Sequence, residues 1–201
     1  MNYKEYLELF AEDFNLIFNS VQKSSSVSKR AKEHLLRIQV MTFHLHIDYL
    51  LNEIIKNKFA TKMSLTENKK NFDSKDMEFM EKLKLVYSTG EFSEDLFNTF
   101  RILNNVRNHL SHNLIVELDK EEKRIKSLKI PNVISKQESY SLTAIEHLFY
   151  SSIGCINSLA EYLHKNLFSE KLLYTLSIKV PEVNSNHVPI VSVIERPNMK
   201  N

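Results

Sequence analysis

Leu36-Arg37-Ile38-Gln39-Val40-Met41-Thr42-Phe43-His44-Leu45-His46-Ile47-Asp48-Tyr49-Leu50-Leu51-Asn52-Glu53-Ile54 is the stretch that decides the fold class. Leu36, Val40, Phe43, Ile47, Leu50, Leu51 and Ile54 recur at three- and four-residue spacing, which puts them on one stripe of an α-helix. Arg37, His44, Asp48 and Asn52 fall on the other side. A stripe of this width must bury itself against other helices. Ser26 or Ser28 can cap the start, and the pattern runs to about Phe59.

The same period extends outward in both directions. Residues 2–22 place Tyr6, Leu9, Phe10, Phe14, Ile17, Phe18 and Val21 on a preceding helix, separated by the polar break Lys23-Ser24-Ser25-Ser26. Residues 60–72 are polar and lysine-rich and read as a loop. Asp73 or Ser74 opens a third helix through Leu83, Leu85 and Val86, closed by Gly90. Ser93, followed by Glu94 and Asp95, is a helix-start signal. The helix behind it carries Leu96, Phe97, Phe100, Leu103, Val106 and Leu110. After residue 113 the pattern changes. Leu114–Leu118 and Arg124–Ile130 flank the charged run Asp119 to Lys123, which predicts a β-hairpin. Residues 141–168 return to helix, and Leu172–Val180 with Val188–Ile194 predict a second hairpin. The expected architecture is mainly α: an up-and-down bundle of four to five helices with one or two small β-hairpins near the C-terminal end. Residues 1–170 form the bundle, with a hairpin insertion at about 114–130, and 171–201 form a short β-rich tail.

Composition narrows the chemistry. The chain has 201 residues, 42% hydrophobic and 26% charged, which suits a globular protein. Its two glycines, Gly90 and Gly154, are too few for a phosphate-cradling loop of either the Walker or the dinucleotide type. They are also too few for a hydrolase nucleophile elbow around Ser111. All four prolines lie after residue 130, leaving the first part of the chain open to long helices. Cys155 is the only cysteine, so no intrachain disulfide forms, no Cys-based zinc site exists, and a reducing, cytoplasmic setting is expected. There is no apolar run near the ~18 residues of a membrane span, and the N-terminus lacks an apolar signal core. The net charge of +2 requires any nucleic-acid contact to use a local patch.

One segment breaks local preference. Leu103-Asn104-Asn105-Val106-Arg107-Asn108-His109-Leu110-Ser111-His112 gathers Asn, Arg and His at the end of an apolar-striped helix. Asn and Ser are poor helix-interior residues, so function is worth seeking there. The plain reading is a solvated helix end with cations near the C-terminal dipole. Arg107 and His112 stand in the Arg-x4-His arrangement, with Asn108 following the Arg. Arg37 and His44 make a second match in the x6 form, but it lies mid-helix and is followed by Ile38, so it reads as coincidence.

The Arg107–His112 spacing resembles the motif that defines the HEPN superfamily of helical-bundle proteins. The stretch from Phe79 to Ser93, leading into Leu103–His112, together with the long helix containing His46 to Glu53, is similar to the mannitol operon repressor-like branch. The resemblance spans about residues 30–115, with 141–168 as a final helix. It implies a metal-independent endoribonuclease acting as a homodimer, with Arg107, Asn108 and His112 as catalytic residues and no cofactor. The ribose 2′-OH would attack the adjacent phosphorus, leaving a 2′,3′-cyclic phosphate and a 5′-OH. One His112 would take the proton and its symmetry mate would return one, while Arg107 stabilises the phosphate charge. A toxin or defence role, with a cognate antitoxin or regulatory protein as partner, follows from the same resemblance. A non-catalytic regulator or interaction module on the same fold is the alternative, and a nucleotide-binding helical module is a third.

Helical geometry adds a constraint. Arg107 and His112 differ by about 140° around an ideal helix, so they do not share a narrow face. The helix must end or bend near Ser111, or a second chain must complete the site. Other candidates are weaker. His109 and His112, three apart, could chelate a metal but have no visible third ligand. His44 and His46 point to opposite sides. His44 and Asp48, four apart, read as a surface pair, or as support for the Arg107 site. Lys56, Lys58, Lys62, Lys69, Lys70 and Lys75 cluster around the 60–72 loop as a solvated or RNA-contacting patch. The Tyr and Phe stripes read as core.

Overall fold

The computed structural model describes residues 3–22, 28–63, 77–90, 92–113, 118–128, 143–167, 172–179 and 190–197. Among the described residues six helices and one hairpin follow in chain order: α1 (Tyr3–Gln22), α2 (Lys29–Met63), α3 (Phe79–Tyr87), α4 (Glu94–His112), α5 (Leu118–Lys126), α6 (Ala144–Leu167), β1 (Leu172–Lys179) and β2 (Ile190–Pro197). The protein is therefore mainly helical, with a small antiparallel hairpin near the C-terminus. No helix among the described residues is long and apolar enough to cross a membrane.

α2 is the spine. At 35 residues it is about 52 Å long and packs against α1, α3, α4 and α6. The whole stripe read from its sequence, Leu36 through Ile54, is buried. Phe14 of α1 joins three helices, with ring centroids 6.5 Å from Phe43 of α2 and 5.6 Å from Phe149 of α6. Leu9 falls outside the core at 44% exposure, and Leu7 and Ala11 take the buried positions beside Phe10 and Phe14.

The ends of the helices follow local chemistry. Ser93 caps α4, its hydroxyl accepting from the Leu96 N–H at 3.2 Å. Gly90 sits at φ +76°, a left-handed conformation that glycine adopts without a Cβ penalty, and ends the turn after α3. α3 begins at Phe79, where the Glu78 N–H donates to the Glu81 carboxylate at 3.0 Å. The start expected at Asp73 or Ser74 lies outside the described residues, as does most of the lysine-rich loop.

The hairpin expected over 114–130 is not formed where the chain is described: Leu118–Lys126 is helix α5. Asp119 and Glu121 lie in its first turn and Lys123, Arg124 and Lys126 in its last, an order that complements the helix dipole. Glu121, Ile125 and Leu128 all face inward and are buried. The second hairpin is present. β1 and β2 pair antiparallel from Leu172↔Pro197 to Lys179↔Ile190. It is bound into the bundle through buried Leu176 and Val191. Asn157 of α6 donates to the Leu176 carbonyl at 2.9 Å and accepts from its N–H at 2.8 Å. Asn15 of α1 does the same for Val191, at 2.9 Å each way. One amide side chain thus occupies the outer edge of each strand.

Candidate functional site

Three helices meet at a groove of about 530 Å³. α2 supplies His44 and Asp48, α3 supplies Phe79 and Lys82, and α4 supplies Asn104, Arg107, Asn108 and His112. The three residues expected to act, Arg107, Asn108 and His112, therefore line one groove within a single chain. α4 runs as helix through His112 and ends with Asn113 as its C-cap. The angular problem resolves without a bend. Asn104 and Asn108 lie near the middle of the groove-facing arc, and Arg107 and His112 approach from its two margins.

Arg107 is partly buried. Its Nη1 donates to the Asn108 side-chain oxygen at 2.9 Å, and its Nε is buried with no acceptor among the described residues. No carboxylate pairs with it among those residues. Asn108 thus holds the guanidinium rather than His112. His112 is exposed at the groove margin. Ser111, beside it, is exposed and donates to the Asn108 carbonyl at 3.0 Å, an ordinary local helix bond.

His44 and Asp48 do not form the surface pair that their spacing suggests. His44 is buried, and its Nε2 lies 3.1 Å from the Asn104 side-chain oxygen. Its ring also packs on Phe79, with centroids 4.1 Å apart. Burial pushes the His44 pKa below its ordinary value, and Arg107 and Lys82 push in the same direction, while the Asn104 bond and Asp48 oppose them. Asp48 instead takes Lys82, whose Nζ lies 2.9 and 3.0 Å from the two carboxylate oxygens. The Lys82 side chain is only 4% exposed, so this pair places a compensated charge on the groove wall.

His109 turns away from the groove. Its Nδ1 lies 3.0 Å from the fully buried carboxylate of Glu121, which also takes Arg124 at 2.9 Å. His109 and His112 thus face different neighbours. Among the described residues no group of three His, Cys, Asp or Glu side chains could hold a metal. Of the lysine cluster, Lys56 pairs with Glu53 at 2.9 Å and Lys58 donates to the Tyr162 hydroxyl at 3.1 Å. Lys69, Lys70 and Lys75, and the side chain of Lys62, lie outside the described residues.

Sequence reasoning missed Asn104 as a partner and Lys82 altogether. Asn104 carried a signal, being a polar residue on the apolar side of α4. Lys82 carried none, because only the fold shows that an acidic residue on α2 lies opposite. No family model, curated protein or solved structure matches the chain.

Proposed function

We propose that this protein is a HEPN-type endoribonuclease that cleaves RNA by transesterification in the α2–α3–α4 groove. One observation carries the reading: a guanidinium with no carboxylate partner among the described residues and an exposed imidazole line the same groove, with an amide holding the guanidinium. A phosphate group matches such a planar fork of donors.

In this reading a phosphodiester lies over Asn104 and Asn108. The 2′-oxygen attacks phosphorus, and Arg107 stabilises the charge that grows on the non-bridging oxygens. His112 moves one of the two protons that the reaction requires, the general acid–base work for which imidazole is the most common side chain. The products are a 2′,3′-cyclic phosphate and a 5′-hydroxyl. No step calls on a metal or a cofactor. The HEPN resemblance adds the finer proposals: a cytoplasmic homodimer with a toxin or defence role, restrained by an antitoxin or regulatory partner.

The test is cleavage of mixed RNA by purified protein in the presence of EDTA. We expect cyclic-phosphate ends from the wild type, and losses of about 100-fold or more for His112→Ala and for Arg107→Ala. Circular dichroism should show both variants folded. Intact RNA under all conditions would overturn the nuclease reading and leave a non-catalytic regulator, in which the Arg107–Asn108 contact serves only to shape α4.

A further inference from the structure

Cleavage by transesterification needs two proton transfers, one from the 2′-hydroxyl and one to the leaving 5′-oxygen. The HEPN resemblance assigns the second transfer to a partner subunit. The groove, however, contains two imidazoles from one chain, on helices that meet across its floor: His44 of α2 and His112 of α4. They differ in the ways that an acid–base pair should differ. His112 is exposed to water. His44 is buried, fixed by Phe79 on its ring face and by Asn104 at Nε2.

The Asn104 bond also selects a tautomer. Its side-chain oxygen accepts from Nε2–H, which leaves the lone pair on Nδ1. Burial holds His44 neutral at pH 7. The charged groups facing it come from three helices. Asp48 on its own helix favours the protonated ring, and Lys82 of α3 and Arg107 of α4 favour the neutral one.

We infer that His44 is a second catalytic residue of this groove, taking the 2′-hydroxyl proton on Nδ1 while His112 returns a proton to the leaving 5′-oxygen. The inference rests on the ribonuclease reading. The O2′–H bond breaks and its proton passes to His44. The O2′–P bond forms, the P–O5′ bond breaks, and O5′ takes the proton of protonated His112. Exchange with water then resets both rings. On this assignment one chain holds a complete set of catalytic groups.

Two RNA substrates separate the roles: an ordinary dinucleotide, and one with sulfur at the 5′-leaving position, which departs without protonation. His112→Ala should be slow on the first and close to wild type on the second. His44→Gln, which can still donate to Asn104, should lose about 100-fold on both. It should also lose the rise in kcat/KM with pH that deprotonation of His44 produces below pH 6.5. A role for His44 in packing alone would lower the rate without moving that limb. As a check independent of folding in the variant, the His44 ring resonances of the wild type should shift on binding a 2′-O-methyl RNA.

His44→Gln cleaving both substrates at the wild-type rate would overturn the inference and leave the ribonuclease reading intact. So would rescue of His44→Gln by the sulfur substrate, or an unchanged pH limb. No cleavage by the wild type would overturn both together.

Discussion

Arg37 shows how a residue can matter to a site without touching it. Its Nη1 donates to the Leu110 carbonyl and its Nη2 to the Asn113 carbonyl at 2.6 Å, while Nε bonds Glu33 at 3.2 Å. The last carbonyls of a helix have no intrahelical partner, so a guanidinium there closes the turn that carries His112. Arg37→Ala is expected to cost about 2 kcal/mol, the worth of charged hydrogen bonds to otherwise open carbonyls. Urea denaturation measures it, and Arg37→Lys should recover part of the loss. The sequence displayed Arg37 and His44 as an accidental copy of the motif. The fold brings both to the same region: one fastens the end of α4 and the other lines its groove. Spacing along α2 reveals which residues share a face, but not which neighbour covers it. For the same reason His44 and Asp48 looked like partners, when His44 is engaged by Asn104 and Asp48 by Lys82.

At the scale of elements, the helices with strong apolar periodicity were legible, and so were the Ser93 cap and the Gly90 turn. α5 was not. Its nine residues hold one inward stripe and a dense set of charges, and the branched residues on either side imitated paired strands. The dipole-ordered charges and the buried Glu121–Ile125–Leu128 line decide for helix, and that line becomes visible only once α4 and α6 are in place against it. The C-terminal hairpin was legible as strands, but its docking was not, because Asn157 merely looks like a polar interruption in α6. Asn157→Ala should leave the Leu176 N–H and carbonyl without partners, at a cost of about 1–2 kcal/mol. Hydrogen exchange at the Leu176 amide should quicken roughly tenfold, while the amides of α2 stay protected. Equal acceleration everywhere would mean that the hairpin and the bundle open as one unit.

For the whole molecule, it matters that one helix is both spine and site. The core-filling stripe of α2 is flanked on either side by a buried imidazole, His44 toward α3 and α4 at 8% exposure and His46 toward α1 at 7%. His46 lies 3.0 Å from Asp13 and 3.2 Å from the Tyr6 hydroxyl, so α1 is bound to α2 through a ring that is largely out of water. Burial pushes both pKa values below 6.5, outweighing the Asp13 contact at His46 and the Asn104 bond at His44. The unfolded chain therefore binds protons at these positions more readily than the folded one, and stability increases with pH through that window. Their contribution is complete above about pH 6.5 and drains away as the pH falls. Each imidazole can impose a slope of at most about 1.4 kcal/mol per pH unit. Urea midpoints should therefore fall as the pH is lowered from about 7.5 to about 5. His44→Gln combined with His46→Gln should flatten the fall. A midpoint that holds steady through this interval in the wild type would show that burial depresses neither pKa in the fold.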